Sequence, residues 1–358
     1  AASGDVVLYW GQNSDGNQKP LAEYCQSSSV DIVVLSFLYA FPNNFQLNFA
    51  NACEGSYTPD GTLHCPQMAK DIKTCQGLGK QVLLSLGGAS GAYGFSSDSQ
   101  ASDFATTLWN KFGKGTDDSS NRPFDDAVID GFDFDIENND PRGYAALATS
   151  LRQLFAKDSS KKYYLSAAPQ CPYPDASVGK LMENADLDYA FIQFYNNYCA
   201  LGSQFNWEKW EEYAENVSPN KNIKLFLGLP GSTRAANSGY TEISTIKQYL
   251  DQFQNSKHFG GFSLWDATSA WTNTGSDGEN YAQQLKGLVG SGSSPSETST
   301  SSTAAPTSTA APTSTASPTS TASPTSTASP TSTVTPTSTA VQTSTSNSFP
   351  TRVPTTLT

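Results

Sequence analysis

The stretch Asp130-Gly131-Phe132-Asp133-Phe134-Asp135-Ile136-Glu137 alternates apolar and acidic side chains over its last six residues. Side chains of a β-strand point alternately to its two faces, so every second residue shares a face. The apolar face suits contact with helices, and the other face carries three carboxyls about 6.5–7 Å apart along the strand. We therefore predict a buried strand with Phe132, Phe134 and Ile136 facing outward and Asp133, Asp135 and Glu137 facing inward.

The three inward-facing acids, which we call the carboxylate series, are unfavourable to bury. An ionised carboxyl in a low-dielectric interior needs a shared proton or strong hydrogen-bond donors nearby. Stability alone would not place three of them on one strand, so we predict a chemical role. The alternatives are an exposed acidic strand end or a calcium site, since oxygen ligands are in place. Asp130 has outer-face parity and is expected to order the strand or a neighbouring loop.

Seven other runs share the β-branched and aromatic character of this strand. Near-continuous hydrophobic strands are typical of a parallel sheet covered on both faces. Eight strand–helix units match the count and size of a (β/α)8 TIM barrel. The rival is a doubly wound open sheet, but no Gly-rich phosphate fingerprint follows the first run. The predicted strands are Val6–Trp10, Ile32–Ala40, Val82–Leu86, Ala127–Phe134, Tyr163–Ala168, Tyr189–Tyr195, Ile223–Leu227 and Gly260–Trp265.

Polar and aromatic residues stand at the carboxyl ends of these runs. In such barrels the active site lies at this end of the strands, on the loops. Amides, carboxylates, a phenol and an indole on one rim favour a sugar over a charged metabolite, because hydroxyls need paired donors and acceptors beside an apolar platform. The run ends are Gly11-Gln12, Gly87-Gly88, Asp133 through Glu137, Pro169-Gln170, Tyr195-Asn196 and Trp265-Asp266.

The 358-residue chain changes composition near residue 291. Its 33 acidic and 21 basic side chains give a formal net charge of −12, which residues 1–291 carry entirely. Residues 292–358 lack Trp, Tyr and Cys, and prolines recur every sixth residue from Pro306 to Pro336. Such a segment has little apolar area to offset its conformational entropy. We predict a catalytic barrel over 1–291 and a disordered, O-glycosylated Ser/Thr/Pro-rich stalk over 292–358, with a plain linker as the alternative.

The bulk properties exclude several classes of partner. The acidic surplus repels phosphate backbones, so we expect no nucleic-acid partner. No apolar run reaches the roughly 20 residues that span a bilayer. We expect a monomeric, secreted or cell-wall protein whose signal peptide has been removed. Residues 353–358 lack an apolar anchor signal, so a glycosylphosphatidylinositol (GPI) anchor would require a processed C-terminus.

The six cysteines favour disulfides over metal binding. None forms a C-x-x-C pair, and the only histidines, His64 and His258, lack partners at zinc spacing. We predict no metal site, no cofactor and an oxidising compartment. Six cysteines allow fifteen pairings, which the residues alone do not decide. A sequon at Asn216 predicts N-glycosylation, although Pro219 follows it.

The D-x-x-D-x-D-x-E pattern on the fourth of eight predicted strands resembles the signature of glycoside hydrolase family 18. Four further blocks look like those of its plant and fungal class III chitinases, over essentially all of residues 5–290. The tail is similar to that of fungal cell-wall chitinases. The blocks are Tyr9-Trp10-Gly11-Gln12-Asn13, Ser85-Leu86-Gly87-Gly88, Ala167-Ala168-Pro169-Gln170-Cys171-Pro172 and Gln193-Phe194-Tyr195-Asn196-Asn197.

The resemblance implies an endochitinase that cleaves β-1,4 bonds between N-acetylglucosamine units with retention of configuration. Glu137 would be the general acid and then the base, and the substrate's 2-acetamido oxygen would be the nucleophile. Asp135 would orient the acetamido group and stabilise the oxazolinium intermediate. Asp133 would share a proton with Asp135. Tyr195 would donate its hydroxyl to the acetamido carbonyl.

The resemblance also implies binding residues and disulfides. Trp265 would form the floor beneath the sugar that is attacked, and non-proline cis peptides are expected at Trp265–Asp266 and at Ala40–Phe41. The chain departs from the family in its longer interval between Cys53 and Cys65. The implied disulfides are Cys25–Cys75, Cys53–Cys65 and Cys171–Cys199. Further cleft residues would be Tyr9, Gln12, Asn48, Gly88, Gln170, Gln193 and Asn196.

Other functions stay open at this point. An endo-β-N-acetylglucosaminidase acting on N-glycan cores shares the carboxylate series, and weak lysozyme-like action on peptidoglycan is a further alternative. A carbohydrate-binding lectin or an inhibitor could use the same barrel, although such relatives usually lose one of the acids. The last alternative is a wall mannoprotein whose tail is the functional part. Trp207, Trp210 and Tyr213 are spaced three apart and are expected in the core.

Overall fold

The computed structural model describes residues 4–115 and 119–290. Its eight main strands pair in parallel with their neighbours, and β1 pairs with both β2 and β8. The sheet is therefore closed, which confirms the (β/α)8 barrel over the doubly wound sheet. The strands are β1 (Asp5–Trp10), β2 (Ile32–Phe41), β3 (Gln81–Gly88), β4 (Gly131–Ile136), β5 (Tyr164–Ala167), β6 (Tyr189–Gln193), β7 (Lys224–Pro230) and β8 (Phe259–Trp265).

Helices between the strands cover the outside of the barrel. Two short strands, Gln46–Leu47 and Ala92–Tyr93, add to the sheet beside the end of β2. The 3-10 helices are Ala50–Ala52, Ser119–Asn121 and Leu250–Gln252, and Tyr213–Val217 is π-helical. The α-helices of the described residues are α1 (Leu21–Cys25), α2 (Pro66–Gly77), α3 (Asp98–Phe112), α4 (Tyr144–Phe155), α5 (Gly179–Asn184), α6 (Trp207–Glu212), α7 (Ile243–Tyr249), α8 (Ala267–Thr272) and α9 (Tyr281–Val289).

Strand β4 has the two faces that its alternation predicts. Phe132 stacks with Phe155 of α4 at a ring-centroid distance of 6.4 Å, and Phe134 meets Tyr144 of the same helix edge-on at 6.3 Å. Burying one such ring contributes about 1.5–3 kcal/mol. A second buried apolar cluster lies inside the barrel and includes Val7, Ile32, Val34, Leu83, Phe191 and Phe226. The barrel thus holds β4 from outside by aromatic packing and leaves its inner face for polar groups.

The three aromatic residues of the α6 region lie in the core, as predicted. Trp207, Trp210 and Tyr213 are all buried. Trp210 Nε1 donates to the carbonyl of Cys171 at 3.2 Å, and the Tyr213 hydroxyl donates to the carbonyl of Met182 at 2.9 Å. These aromatics therefore pack α6 against the segment that carries Cys171 and against α5.

One of the two expected cis peptides lies elsewhere. Trp265–Asp266 is cis, but the second non-proline cis bond joins Ser36 to Phe37 rather than Ala40 to Phe41. The register of β2 against β3 shifts between Ser36 and Leu38. There the backbone of Phe37 pairs with Asn48 instead of a barrel strand. The expectation at Ala40–Phe41 was wrong because the chain has resumed regular pairing by Ala40, with Gln46 and Ala92.

The three disulfides are those that the resemblance implied: Cys25–Cys75, Cys53–Cys65 and Cys171–Cys199. The first joins α1 to α2, and the second closes the segment between the 3-10 helix Ala50–Ala52 and α2. Removing a disulfide lets the unfolded chain gain entropy that grows with the length of the closed loop.

Replacing Cys25 and Cys75 together by Ser should therefore lower the free energy of unfolding by about 4 kcal/mol, since this bridge spans 50 residues. The matched double variant at Cys53 and Cys65 should lose about 3 kcal/mol, because that bridge spans only 12 residues. Urea unfolding followed by circular dichroism measures both. An equal or reversed order of the two losses would contradict the chain-entropy argument.

The division of the chain at residue 291 stays a prediction, because residues 292–358 lie outside the described residues.

The N-glycosylation sequon has one exposed and one buried residue. Asn216 is exposed in the π-helical segment, whereas Ser218 is buried and donates its hydroxyl to the carbonyl of Asn220 at 2.9 Å. Glycosylation of Asn216 also stays a prediction.

Candidate active site

The carboxylate series runs from the barrel interior to its rim. Asp133 is 0% exposed, Asp135 is 4% exposed, and Glu137 is partly exposed. Strand β4 ends at Ile136, so Glu137 is the first residue beyond it. The series therefore places Glu137 at the rim, Asp135 below it on the cleft wall and Asp133 deepest in the barrel.

Asp133 accepts hydrogen bonds from three hydroxyl groups. Tyr9 and Ser85 donate to Oδ2 at 2.9 and 2.7 Å, and Ser166 donates to Oδ1 at 2.7 Å. Burial raises the pKa of Asp133, and the three donors oppose this rise because they stabilise the charged form. Ser85 and Ser166 were not predicted as partners of Asp133. The sequence did indicate them in one respect, since each is a polar residue at an inward-facing position of a strand that is otherwise apolar.

Asp135 lies between the other two acids of the series and lines the cleft together with Glu137. Burial, followed by the charges of Glu137 and Asp133, raises the pKa of Asp135 well above its usual range. Gln193 Nε2 donates to Asp135 Oδ1 at 3.1 Å and lies 3.4 Å from Glu137 Oε1. Both oxygens of Asp133 also accept from hydroxyls, and the expected sharing of a proton between Asp133 and Asp135 stays a prediction.

Tyr195 follows the end of β6 and faces the same carboxyls. Burial raises the pKa of Tyr195 well above its usual range, and the charges of Asp135 and Glu137 add to the rise. The phenol therefore keeps its proton and can act as a donor. Gly239 allows the loop after β7 to pack here, because a Cβ on it would lie 2.7 Å from the Tyr195 Cβ.

A cleft of about 500 Å³ opens above these groups. Its apolar part contains Trp265, whose ring stacks with Phe37 at a centroid distance of 5.7 Å and lies 5.9 Å from the ring of Tyr9. A volume of this size suits a small organic ligand or several sugar units of a longer one. The predicted residues that line it are Gln12, Asn48, Gly88, Asp135, Glu137, Gln193, Tyr195, Asn196 and Trp265.

Two predicted binding residues are missing from the described residues that line this cleft. Tyr9 lies beneath it, on the wall of a small cavity shared with Trp265 and Asp135, where its hydroxyl serves Asp133. The Gln170 side-chain oxygen accepts from Asn197 Nδ2 at 3.1 Å. The assignment of Gln170 and Tyr9 as binding residues therefore stays a prediction.

Several cleft residues were not predicted. Two of them lie within β2, and the others lie in the loops after β3 and β7. No polar run end had been assigned to β2 or β7. For the loop residues, a position after a strand was the only indication available from sequence. These residues are Phe37, Tyr39, Ala89, Ser90, Ala235, Ala236 and Asn237.

Hydrogen bonds fix the loops that carry the polar lining. Gln12 Nε2 donates to the carbonyl of Ser36 at 2.8 Å and to that of Asn48 at 3.1 Å. Asp266 caps α8 by accepting from Ser269 N at 3.0 Å, and it accepts from Ser14 Oγ at 2.6 Å. The loop that bears Gln12 is therefore tied to the strand end that bears Trp265.

Asp130 lies at the opposite end of β4 from the cleft. Its Oδ2 accepts from Val82 N at 2.8 Å and from Gln76 Nε2 at 3.0 Å, and its Oδ1 pairs with Lys161 Nζ at 2.6 Å. These contacts join the starts of β3 and β4 to α2. Asp130 thus orders neighbouring strands and takes no part in the cleft.

Residues 4–115 and 119–290 contain neither a candidate metal cluster nor a candidate membrane-spanning helix. Within these ranges no group of three or more His, Cys, Asp or Glu side chains could hold a metal ion. In the same part of the chain, no helix has the length and hydropathy needed to cross a membrane.

Known proteins are similar to this chain both in sequence and in structure. Chitinase 3 of Candida albicans is 59% identical over 300 residues, which are 83% of this chain and 53% of that protein. A solved chitinase from Ipomoea carnea has 30% identity and a TM-score of 0.68, covering 79% of this chain and 99% of its own. A solved xylanase and α-amylase inhibitor from Scadoxus multiflorus has 31% identity and a TM-score of 0.67, covering 80% and 98%.

The chain spans about half the length of the first curated relatives that it matches. Residues 5–269 match the family described as glycosyl hydrolases family 18. This match covers most of the barrel and includes every member of the carboxylate series. The chain therefore belongs to family 18 of the glycosyl hydrolases.

Proposed function

We propose that this chain is an endochitinase that hydrolyses β-1,4 bonds between N-acetylglucosamine units of chitin. The observation that carries the proposal is the cleft in which Asp135 and Glu137 lie beside the Tyr195 phenol and the Trp265 indole. The Gln193 amide reaches both carboxyls. An acid, a buried carboxyl and a hydroxyl donor around an aromatic face suit an acetamido sugar. The naming of the similar proteins as chitinases supports the same substrate.

Bond cleavage would begin with proton transfer from Glu137 to the glycosidic oxygen. The C1–O bond breaks while the carbonyl oxygen of the substrate's own acetamido group bonds to C1, giving an oxazolinium ion. Water then attacks C1, Glu137 takes its proton, and the C1–O bond to the acetamido oxygen breaks. Two displacements at C1 retain the anomeric configuration.

The groups around Glu137 would hold the nucleophile and stabilise the charge. Asp135 accepts from the acetamido N–H and faces the positive oxazolinium ion. Tyr195 donates to the acetamido carbonyl, and its high pKa keeps that proton available. The Asp133 carboxyl, which accepts hydrogen bonds from three hydroxyls, is held in place beneath Asp135. Positioning and electrostatic stabilisation of this kind each contribute several kcal/mol to catalysis.

Incubation with three substrates tests the proposal. We expect cleavage of chitin oligomers to shorter β-anomeric products, no release of N-glycan from a high-mannose glycopeptide, and at most weak action on peptidoglycan. Activity on the glycopeptide alone would replace the proposal by an endo-β-N-acetylglucosaminidase. Binding of chitin oligomers without turnover would replace it by a lectin or an inhibitor, the function named for one similar structure.

The proposal for the whole chain follows from its composition. Residues 1–291 would form the catalytic barrel and residues 292–358 an O-glycosylated stalk of a secreted monomer in the extracellular space or the fungal cell wall. Attachment by a GPI anchor would require processing of the C-terminus. A barrel of residues 1–291 that hydrolyses chitin oligomers normally would argue against the tail as the functional part.

A further inference from the structure

Tyr93 links three of the strand ends that surround the cleft. It belongs to the two-residue strand Ala92–Tyr93, which pairs in parallel with Ala40 and Phe41 at the end of β2. Its ring stacks on Phe41 at a centroid distance of 5.4 Å with an interplanar angle of 13°. Asn138 Nδ2, just beyond β4, donates to the Tyr93 carbonyl at 3.0 Å. The ring and backbone of Tyr93 are thus held from both sides.

The Tyr93 hydroxyl bridges the ends of β3 and β4. It donates to the carbonyl of Gly88 at 2.6 Å and accepts from the backbone N–H of Glu137 at 3.0 Å. The pairing of β3 with β4 ends at Gly88 and Ile136, so Glu137 lies one residue past the barrel's hydrogen bonds. The Tyr93 hydroxyl therefore extends the hydrogen bonding between β3 and β4 by one residue, to Glu137 itself.

The hydroxyl remains protonated over the working range of an enzyme. Burial, assisted by the charges of Asp135 and Glu137, raises the pKa of Tyr93 to about 12. Its single proton is directed to Gly88, and its oxygen is free to accept from Glu137. Substitution of Tyr93 by Phe would keep the ring and its stacking on Phe41 but remove both hydrogen bonds.

We propose that Tyr93 is a positioning residue for the proton donor, which holds the backbone of Glu137 so that its carboxyl meets the glycosidic oxygen. This inference rests on the proposed function. The role of Tyr93 differs from that of Tyr195, because the Tyr195 hydroxyl would act on the acetamido group of the substrate and the Tyr93 hydroxyl acts on the backbone of Glu137. A defect in proton donation should depend on how much the leaving group needs a proton, whereas a general structural defect should not.

The test compares two substrates for the same preparation of Tyr93→Phe. Chitotetraose has a sugar leaving group that must be protonated, whereas 2,4-dinitrophenyl chitobioside releases a phenolate that leaves without a proton. The value of kcat/KM reports the steps up to bond cleavage. We expect it to fall about tenfold for chitotetraose and less than about twofold for the dinitrophenyl substrate. The ratio of the two values does not depend on the fraction of folded enzyme.

Two variants serve as controls. Tyr195→Phe should lower kcat/KM on both substrates by similar factors, because both need the acetamido nucleophile. Tyr57→Phe removes the hydroxyl of a tyrosine that is 64% exposed, and it should change neither value. Equal losses on the two substrates for Tyr93→Phe, or no loss on either, would overturn the inference while the wild-type activity upholds the proposed function. A wild-type enzyme inactive on both substrates would overturn the two together.

Discussion

Glu137→Gln should lower kcat on chitin oligomers by about three orders of magnitude, equivalent to about 4 kcal/mol of transition-state stabilisation. The amide keeps the shape of the side chain but supplies no acidic proton. It also cannot accept a proton from the attacking water. Because the cleft lining is unchanged, the affinity for chitotetraose should stay within about threefold of the wild type. Initial rates and titration of tryptophan fluorescence measure the two quantities.

The matched control is Glu208→Gln on α6, which makes the same chemical change at an exposed site. It should leave both kcat and affinity unchanged. Substantial residual turnover by Glu137→Gln, beyond a few per cent of wild type, would contradict the assignment of the acid. Loss of binding together with turnover would instead indicate that the substitution had altered the cleft.

Asp135→Asn should lower kcat by about 10²–10³-fold, because a neutral amide cannot stabilise the positive oxazolinium ion. The amide keeps the size of the side chain and can still accept a hydrogen bond from Gln193. The loss should appear on aryl glycosides with good leaving groups as well as on chitin oligomers, since charge develops at C1 in both. This response contrasts with the one expected for Tyr93→Phe. An activity loss limited to oligomers would refute the proposed role of Asp135.

Asp135→Asn should also make the folded protein more stable than the wild type, by a difference that grows as the pH rises. The pKa of Asp135 is raised in the folded protein, so the folded state binds this proton more tightly than the unfolded state. The stability that the proton contributes is complete below the unfolded pKa near 4 and is lost as the pH rises through the folded value. Within that window the wild type should lose about 1.4 kcal/mol per pH unit relative to Asp135→Asn.

Urea unfolding of both proteins between pH 4 and pH 8 measures this difference. The two free energies of unfolding should be similar at pH 4 and diverge above it, with the variant the more stable. An exposed control, Asp251→Asn, should show no such divergence. Parallel pH profiles for wild type and Asp135→Asn would contradict the account of a buried, proton-binding carboxyl.

Much of the barrel could be predicted because its strands are short apolar runs whose order and spacing fit one closed parallel sheet. The strand ends were less certain. The run predicted from Ala127 became a strand only at Gly131, because residues 127–130 pair with α2, α3 and the start of β3 through isolated contacts. The run predicted to end at Leu227 continues to Pro230, where it pairs with Trp265. Pairing partners, which set these limits, come from distant parts of the chain.

The part of the site that depends on the alternation of side chains along β4 could be predicted from the sequence. The inward parity of Asp133, Asp135 and Glu137 required only the alternation of a strand. The environment of Asp133 required the positions of Tyr9, Ser85 and Ser166, whose hydroxyls donate to it from three other strands. The contact between the Gln170 side-chain oxygen and Asn197, on a different loop, also required the tertiary structure.

The sequence by itself determined the fold class, the face of β4 that carries the acids and the aromatic face toward the helices, because these depend on local periodicity. Only the tertiary structure decided which hydroxyls donate to Asp133, how β2 and the loop after β7 line the cleft, and that Tyr93 reaches Glu137. The hydroxyl contacts of Asp133 and the contact between Tyr93 and Glu137 join residues that are 33 to 124 positions apart in the chain. Their geometry follows from barrel closure, which brings separate strand ends together and which no local pattern encodes.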